Sequence, residues 1–481
     1  MARILLINPS KWGRGITPIW IASHTSILRS DNHEVKLFDS TFYLKWSNLE
    51  NRYNTNNQQY LPTDYDNKIN YKHENILICL QELIDDFKPD IIFWSALSSH
   101  IHGEGEYVNI QYGYELIKDC NLTNSILVTG GLQATASPEM IFNKFKKLNY
   151  LIQGESELVL KELVNNIHDL DSVKKIKGIS FRDKNDIRTN ERQNLIHDLD
   201  IIPSYDYSIF DDQIFIRPYN GQLVRAIDYE LSRGCIYTCS YCVETVIQNY
   251  YGFTEKTKRG ALLNAKKYLR TKSAKRIYDE LSSYQKKYKI NFIRCQDTNF
   301  LTINKKVLNE LENMFLEKPI DLKLYIETRP EGINENTVKL LKNLNVDGVG
   351  MGIELSGEDF REEELNRFSN QEAIIEAFKV LKKYNIKRTS YNIIGLPGQN
   401  EDSIRKTIQF NKFLSPDNVT VAFYSPYLGT EEQIKSHKMK YFEEYEDNVD
   451  GQLRSVAKFS LVSLEKLNYY KENFKKLVMQ S

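Results

Sequence analysis

The chain has 481 residues, of which 41% are apolar, and its 64 lysines and arginines balance 64 aspartates and glutamates. This length and apolar content exclude a disordered protein and predict roughly two to three domains with cores of their own. The absence of net charge argues against a nucleic-acid-binding protein. No apolar run approaches the roughly 18 to 20 residues that span a bilayer, and the cysteines are sparse, so we expect a cytoplasmic protein without a membrane span.

Short apolar runs alternate with helical patterns over residues 1 to about 205. The predicted strands are Arg3–Asn8, Glu34–Asp39, Asp90–Ser95, Ile126–Gly130 and Tyr150–Gly154. Strands that alternate with helices favour a parallel sheet covered on both faces. The sequence therefore predicts an α/β domain over residues 1–205 that is doubly wound and Rossmann-like, with its boundary near Pro203.

Small and polar residues follow each of these predicted strands. They are Asn8 with Pro9, Asp39 with Ser40, Ser95 with Ser98 and Ser99, Gly130 with Gly131, and Gly154 with Glu155. Parallel sheets bind ligands at the carboxyl ends of their strands, and glycine lets a large ligand approach the backbone. Tight strand-to-helix turns use the same residue types, so both interpretations stand at this point.

Three other features of this region are structural predictions. Residues 43–72 are rich in Asn, Tyr and Asp without periodicity, which predicts a long surface insertion. The segment Ile176–Phe181 predicts a strand or two before a linker. Cys79 lies on an apolar helical stripe that runs from Ile76 to Phe87, so we expect it to pack in a core rather than bind a ligand.

Three of the six cysteines, Cys235, Cys239 and Cys242, follow another predicted strand within eight residues. Thiols this close together indicate a soft-metal site. A structural zinc takes about four Cys or His ligands, yet no histidine occurs between His197 and His437, which disfavours zinc. An iron–sulfur cluster on three thiolates leaves one iron open to a substrate or cofactor. A zinc knuckle and a buried thiol cluster remain the alternatives.

Strand and helix patterns then repeat over residues 206–430. Ser273 is predicted to cap a helix with the apolar stripe Ile277, Leu281, Tyr284 and Tyr288. The later predicted strands are Asn291–Asp297, Leu322–Glu327, Gly348–Glu354, Thr389–Gly395 and Val419–Tyr424. With the strand before Cys235 they form six strand–helix units, which predicts a partial (β/α)6 barrel of the TIM type.

The chemistry of such a barrel lies at the carboxyl ends of its strands. Those ends carry Cys235–Cys242, Asp297–Phe300, Glu327–Arg329, Glu354 and Gly395–Gly398. The run Gly348-x-Gly-x-Gly352 lacks the spacing and position of a dinucleotide fingerprint, so we do not read it as one. Residues 431–481 are charged and helical in character, and we predict a helical C-terminal extension with an apolar seam of Leu461, Leu464 and Leu467.

The cysteine spacing, three residues and then two with the aromatic Tyr241, resembles that of the radical S-adenosylmethionine enzymes. The resemblance implies a 4Fe–4S cluster on Cys235, Cys239 and Cys242 whose open iron chelates S-adenosylmethionine. The reduced cluster of that family cleaves S-adenosylmethionine to methionine and a 5'-deoxyadenosyl radical.

The turns of the first domain, especially Val128–Pro138 and Gln153–Glu157, resemble the cobalamin-binding domain that precedes many radical S-adenosylmethionine cores. By that resemblance the residues expected around cobalamin are Asn8, Asp39, Ser95, Ser98, Gly130, Gly131, Gln133, Gly154 and Glu155. The Asp-x-His-x-x-Gly motif that supplies a histidine to cobalt is absent. The resemblance therefore implies base-off cobalamin without a histidine lower ligand.

The same resemblance implies which residues of the barrel hold S-adenosylmethionine. Tyr241 is the aromatic residue of the cysteine motif, and Glu354 matches the ribose-binding acid of Gly-Ile-Glu-Ser motifs, with Leu355 where Ser is frequent. The other residues implied are Asp297 and Glu327 for the ammonium group, Arg329 or Arg367 for the carboxylate, and Gly395 with Pro397 beside the adenine. The alternative for each charged residue is a salt bridge at a barrel rim, which is weaker for Glu354 than for the others.

The resemblance implies a cobalamin-dependent radical methyltransferase that transfers a methyl group from methylcobalamin to an unactivated carbon. The expected partners are a small-molecule, lipid or peptide substrate and an electron donor such as flavodoxin or ferredoxin. A cyclase or rearranging enzyme with the same cofactors is the main alternative. A tRNA methylthiotransferase would carry further cluster cysteines and a basic RNA-binding domain, which the sequence lacks, and a non-catalytic corrinoid or zinc module is the last alternative.

Overall fold

The protein is described from a computed structural model, which covers residues 1–11, 17–47, 68–97, 104–122, 124–184, 186–439 and 461–480. These residues form two compact units. The first holds the described residues up to Ile216 together with Val246–Phe253, and the second holds Arg217–Thr245 and the described residues from Thr254 onward. Within these ranges, no helix has both the length and the apolar character that crossing a membrane requires.

A seven-stranded sheet forms the centre of the first unit. Its strands are β1 (Arg3–Asn8), β2 (Glu34–Asp39), β3 (Ile91–Trp94), β4 (Ile126–Thr129), β5 (Tyr150–Ile152), β6 (Ile179–Asp183) and β7 (Asp186–Thr189). The order is β2-β1-β3-β4-β5-β6-β7, with β1 to β5 parallel and the last two strands antiparallel. The strand order reverses between β1 and β3, and open α/β sheets bind ligands outside the carboxyl ends of the strands at such a point.

Helices connect these strands, and a buried apolar core lies between helices and sheet. They are α1 (Ile19–Ser30), α2 (Ile76–Phe87), α3 (Glu104–Ile117), α4 (Leu132–Ala136), α5 (Pro138–Lys144), α6 (Glu157–Asn165) and α7 (Leu170–Val173). Asn75 caps α2 by accepting hydrogen bonds from the backbone of Leu77 and Ile78. The predicted doubly wound α/β fold is confirmed.

The second unit is built on another seven-stranded sheet, ordered β16-β15-β14-β13-β12-β9-β8. The strands of this unit are β8 (Ile216–Tyr219), β9 (Gln222–Tyr229), β10 (Ser232–Arg233), β11 (Arg270–Thr271), β12 (Phe292–Cys295), β13 (Lys323–Thr328), β14 (Val346–Glu354), β15 (Lys387–Ile394) and β16 (Asn418–Phe423). The six strands β9 and β12 to β16 are parallel, and β10 pairs with β11 outside the sheet. The sheet curls into a half-barrel, which confirms the predicted partial barrel.

Helices follow the strands of the half-barrel as the repeating pattern predicts. They are α8 (Glu244–Tyr250), α9 (Ala265–Tyr268), α10 (Ala274–Tyr288), α11 (Lys305–Glu317), α12 (Glu335–Asn343), α13 (Glu358–Glu363), α14 (Gln371–Lys383), α15 (Glu401–Leu414), α16 (Glu431–Lys438) and α17 (Leu464–Met479). Ser273 caps α10 through the backbone of Arg276, and the predicted stripe of that helix is buried. Helix α8 begins in the second unit and continues into the first.

The C-terminal helix α17 corrects one prediction. Leu461 and Leu464 of the expected seam are 78% and 41% exposed, and only Leu467 is buried. The buried face consists instead of Leu467, Tyr470, Phe474 and Val478, which pack with β16 and α15 in one core. Because Ser463 caps the helix, Leu461 precedes it and Leu464 lies in its first turn.

Candidate active site

The loop that carries the three cysteines lies at the carboxyl end of β9, between β10 and α8. Cys235 and Cys239 are buried and Cys242 is half-buried. Backbone hydrogen bonds shape the loop: the Cys242 N–H donates to the carbonyl of Cys239 at 3.0 Å, and the Cys235 N–H donates to the Glu244 carboxylate at 3.1 Å. The Tyr237 N–H donates to Cys235 Sγ at 3.5 Å, so the backbone itself supplies a hydrogen bond to one sulfur.

Segments distant in sequence hold this loop in place. The Thr238 N–H donates to the carbonyl of Gly260 at 2.9 Å, and the Ser240 N–H donates to the carbonyl of Leu365 at 3.0 Å. Asn366 Nδ2 donates to the carbonyl of Thr238 at 2.6 Å. The loop is therefore fixed to the segment that follows β14.

Burial favours the protonated thiols of Cys235 and Cys242 in the absence of a ligand. It raises the pKa of Cys235 to about 12, and the nearby Glu244 carboxylate adds to the shift. Burial also raises the pKa of Cys242 well above its usual value. Metal binding would release these protons. Among the described residues, no three His, Cys, Asp or Glu side chains group as ligands of a single metal ion.

A hydrogen-bonded triad of Tyr241, Glu354 and Arg367 lies beside the cysteine loop. The Tyr241 hydroxyl donates to Glu354 Oε1 at 2.8 Å, and Arg367 Nη1 lies 3.5 Å from the same oxygen. Glu354 ends β14 with φ of 63°, a left-handed conformation that costs a non-glycine residue energy and concentrates at functional sites. Three residues of the predicted S-adenosylmethionine site are thus brought together.

Arg329, directly after β13, contacts the cysteine loop from another side. Its Nη1 donates to Cys239 Sγ at 3.8 Å, and its guanidinium carbon lies 3.7 Å from the centre of the Tyr237 ring. Its Nη2 donates to Glu331 Oε1 at 2.7 Å and to the carbonyl of Phe368 at 2.8 Å. Burial and Arg367 oppose the charged form, but Cys239 and Glu331 outweigh them and raise the pKa of Arg329. A buried, permanently charged cation therefore faces one thiol.

Asp297 contacts the segment that leads into the cysteine loop. Its Oδ1 accepts hydrogen bonds from the backbone N–H and the hydroxyl of Ser232, at 2.7 and 2.5 Å. The Leu231 N–H donates to both of its carboxylate oxygens. The contacts of Asp297 are therefore with the segment that leads into Cys235.

Glu327 belongs to a different cluster, on the strands of the half-barrel. Its Oε1 accepts from Arg294 Nη2 at 3.2 Å and from the Tyr391 hydroxyl at 3.1 Å, and the hydroxyls of Tyr391 and Tyr325 lie 2.7 Å apart. A side chain at Gly350 would meet the Tyr391 ring, since a Cβ there would lie 2.5 Å from its hydroxyl oxygen. Glu327 and Asp297, predicted to share one role, thus have separate sets of partners.

The loop after β15 carries Gly395 and Pro397. The Gly395 N–H donates to Gln399 Oε1 at 2.7 Å, and Pro397 is buried. Gly398 has φ of 75°, and a Cβ there would have no described atom within 4 Å. The loop thus combines a fixed start with open space at Gly398.

In the first unit, Asn8 and Asp39 meet at the carboxyl ends of β1 and β2. Asn8 Nδ2 donates to Asp39 Oδ1 at 2.9 Å, and Thr41 also donates to that oxygen. Burial raises the pKa of Asp39, against hydrogen bonds from Thr41 and Asn8 that lower it. Among the described residues, no donor reaches the buried Asn8 Oδ1 or Asp39 Oδ2. These two acceptors suit the hydroxyl or amide groups of a large polar ligand.

The Gly130–Gly131 turn is packed tightly against its neighbours. A Cβ at Gly130 would lie 2.9 Å from the carbonyl oxygen of Ile152, and one at Gly131, where φ is 91°, would lie 2.9 Å from Ser95 Oγ. Ser95 itself has φ of 59°. The chain's own backbone thus requires these glycines, whatever ligand lies above them. Ser98, predicted with this group, falls outside the described residues.

Gly154 and Glu155 lie against a tyrosine that the sequence did not reveal. A Cβ at Gly154 would come within 2.5 Å of the Tyr251 hydroxyl oxygen, and the Glu155 N–H donates to that oxygen at 2.9 Å. Gln133 is buried in the first turn of α4, two residues after the Gly131 N-cap. Position 154 requires glycine because the Tyr251 side chain approaches its backbone closely, so this requirement does not by itself indicate a ligand.

Comparison with known proteins identifies the family of the second unit. Residues 229–410 match the model of the Radical SAM superfamily. The chain therefore contains a radical SAM domain. The matched range contains the cysteine loop, Arg329 and the Tyr241–Glu354–Arg367 triad, so these residues lie within the shared domain.

Two relatives and one solved structure extend the comparison. A Pyrococcus horikoshii protein described as an uncharacterized methyltransferase is 26% identical over 73% of this chain and 70% of its own length. An anaerobic magnesium-protoporphyrin IX monomethyl ester cyclase of Cereibacter sphaeroides is 24% identical over 76% of this chain but only 54% of its own length. The radical S-adenosylmethionine methyltransferase TsrM of Kitasatospora setae, solved with cobalamin and a 4Fe–4S cluster, has a TM-score of 0.67 at 17% identity and covers 91% of this chain and 78% of that one. This chain thus shares its fold with a protein that was solved with cobalamin bound.

Several partners in the site were missed by sequence reasoning. Tyr237 and Glu331 around Arg329, and Tyr391 beside Glu327, carry no motif. Glu331 lies two residues from Arg329, and this proximity of opposite charges was the one local signal available. Tyr391 and Tyr251 left none, since their contacts join residues far apart in the sequence.

Proposed function

We propose that the protein is a cobalamin-dependent radical SAM methyltransferase acting on a carbon of a small-molecule, lipid or peptide substrate. One observation carries the proposal: three thiols on one loop lie at the carboxyl ends of parallel barrel strands, beside Tyr241, Glu354 and Arg367. The first unit supplies a second polar strand edge at Asn8 and Asp39. When bound, the cluster supplies the electron that cleaves S-adenosylmethionine, and cobalamin supplies a methyl carrier.

The residues of the second unit have distinct roles in this proposal. Cys235, Cys239 and Cys242 would hold three irons and leave the fourth open. Glu354, held by Tyr241 at 2.8 Å, would accept hydrogen bonds from ribose hydroxyls, and Arg367 would contribute positive charge for the carboxylate. Fixing these groups before the reaction lowers its entropic cost.

Other parts of the proposal concern the remaining predicted residues. Gly395 and Pro397 would border the adenine, and Asn8 and Asp39 would bind polar groups of cobalamin. The three cysteines outside the loop are free, which fits a cytoplasmic protein that receives its electron from a flavodoxin or ferredoxin.

The first test concerns the cluster and the cleavage of S-adenosylmethionine. The full chain, reconstituted anaerobically with iron and sulfide and reduced with dithionite, should form 5'-deoxyadenosine from S-adenosylmethionine. Replacing Cys235, Cys239 and Cys242 together by Ala should abolish both iron binding and this product. Cys79→Ser, which changes a thiol in helix α2, is the matched control and should behave as the wild type. Equal product from the triple variant would refute the proposal.

The second test separates methyl transfer from the alternative. A cyclase or rearranging enzyme is favoured by one observation, the match of 76% of this chain to the magnesium-protoporphyrin cyclase. With methyl-labelled S-adenosylmethionine and added cobalamin, a methyltransferase should transfer label to the corrinoid fraction. Formation of 5'-deoxyadenosine with an unlabelled corrinoid would favour the alternative.

A further inference from the structure

Hydrogen bonds and a ring contact hold the guanidinium group of Arg329 in position. Nε and Nη2 form a forked pair with the two carboxylate oxygens of Glu331, at 3.2 and 2.7 Å. Nη2 also donates to the carbonyl of Phe368 at 2.8 Å, and the guanidinium stacks on Tyr237. A forked, stacked guanidinium has little freedom to reorient, so Nη1 is held in one direction.

That direction is toward the sulfur of Cys239. Arg329 Nη1 lies 3.8 Å from Cys239 Sγ, and the arginine is only 7% exposed. Water screens a charge weakly at this depth, so its effect on the sulfur is large compared with that of a surface arginine.

The surroundings of Cys235 differ in sign. Cys235 Sγ accepts a hydrogen bond from the backbone of Tyr237, and its own N–H donates to the carboxylate of Glu244. Cys239 therefore lies beside the Arg329 cation, whereas Cys235 lies near the Glu244 anion. Hydrogen bonds to cluster sulfurs and nearby charge are the means by which a protein sets the potential of an iron–sulfur cluster.

We propose that Arg329 tunes the reduction potential of the cluster through Cys239, with Glu331 and Tyr237 as the residues that hold it in position. This inference rests on the proposed function, because it requires that the cluster binds. The positive charge and the N–H···S hydrogen bond stabilise the extra electron of the reduced cluster, which an external one-electron donor supplies. Arg329 thus acts on the cluster rather than as a ligand of the S-adenosylmethionine carboxylate.

The experiment is a redox titration of the reconstituted full chain, followed by electron paramagnetic resonance of the reduced cluster. Arg329→Gln should lower the midpoint potential by about 59 mV. For a one-electron couple this shift corresponds to about a tenfold decrease in the equilibrium constant for reduction. Arg329→Lys keeps the charge but loses the fork, and should shift the midpoint less. Glu331→Gln removes the compensating anion and should shift the midpoint upward. Opposite shifts from the two halves of one ion pair are not expected from a loss of structure.

The control is Arg388→Gln, which breaks the ion pair between the buried Arg388, at the amino end of β15, and the exposed Asp417 and should leave the midpoint unchanged. Equal midpoints for the wild type, Arg329→Gln and Glu331→Gln would overturn the inference. If Arg329→Gln fails to hold iron, the midpoint potential of Glu331→Gln is the deciding measurement. A midpoint above that of the wild type supports the inference, and an unchanged or lower midpoint overturns it. Absence of any cluster in the wild type would instead refute the proposed function.

Discussion

The buried Asp297, which contacts the segment leading into the cysteine loop, should make the stability of the protein depend on pH. Its carboxyl group is fully buried and accepts hydrogen bonds from Ser232 and Leu231. Burial raises the pKa of Asp297 to about 7, and the hydrogen bonds, which lower it, do not compensate. The substitution Asp297→Asn replaces the titrating carboxyl group by an amide of similar volume that does not titrate.

The sign of the effect follows from linkage. The folded state keeps a proton on Asp297 up to a pKa of about 7, whereas the unfolded chain releases it near the usual aspartate pKa of 3.8. Asp297 therefore contributes its full stabilisation at pH values below the pKa of the unfolded state. This stabilisation is lost as the pH rises through the pKa of the folded state. The free energy of unfolding falls by about 1.4 kcal/mol for each pH unit between the two pKa values. From pH 5 to pH 8 the loss is therefore roughly 3 kcal/mol, nearly all of it below pH 7.

The assay is urea unfolding of the wild type and of Asp297→Asn at several pH values between about 5 and 8, followed by circular dichroism. Other titrating groups contribute equally to both proteins, so the difference between their free energies of unfolding isolates Asp297. We expect this difference to favour the wild type more at pH 5 than at pH 8. A difference that does not change with pH, or that changes in the opposite direction, would refute the account of the buried carboxyl group.

Two further predictions concern contacts of the half-barrel. Gly350→Ala would place a Cβ 2.5 Å from the Tyr391 hydroxyl oxygen and should lower the free energy of unfolding by about 1 to 3 kcal/mol, measured by urea denaturation. Tyr241→Phe removes the 2.8 Å hydrogen bond to Glu354 and should weaken binding of S-adenosylmethionine by about fivefold, for about 1 kcal/mol, measured by isothermal titration calorimetry. The matched control for the first variant is Gly357→Ala, whose Cβ would find contacts no closer than 3.4 Å and should cost little.

Each of these expectations has a result that contradicts it. If Gly350→Ala were as stable as the wild type, the close approach of Tyr391 would not constrain β14. If Tyr241→Phe bound S-adenosylmethionine with unchanged affinity, the tyrosine would not help to position Glu354, and the role proposed for the triad would need revision.

The strands and the cysteine loop follow from local sequence. Runs such as Arg3–Asn8 and Glu34–Asp39 are strands with the bounds that their apolar pattern predicts, because strands buried on both faces need continuous apolar residues. The cysteine spacing likewise lies within eight residues, so no tertiary information is needed to suspect a cluster. The polar strand ends are local as well, since turns and ligand sites use the same residue types.

The tertiary structure decided which partners those residues have. Asp297 bonds to residues about 65 positions earlier, and Gly154 is required by Tyr251, nearly 100 positions later in the chain. The seam of the last helix was wrong at Leu461 and Leu464 because burial there depends on where β16 lies. Local patterns report backbone conformation and average polarity, whereas strand order and register determine which side chains meet. The sequence alone therefore determined the elements and the three thiols, and only the folded chain brought Arg329 to Cys239.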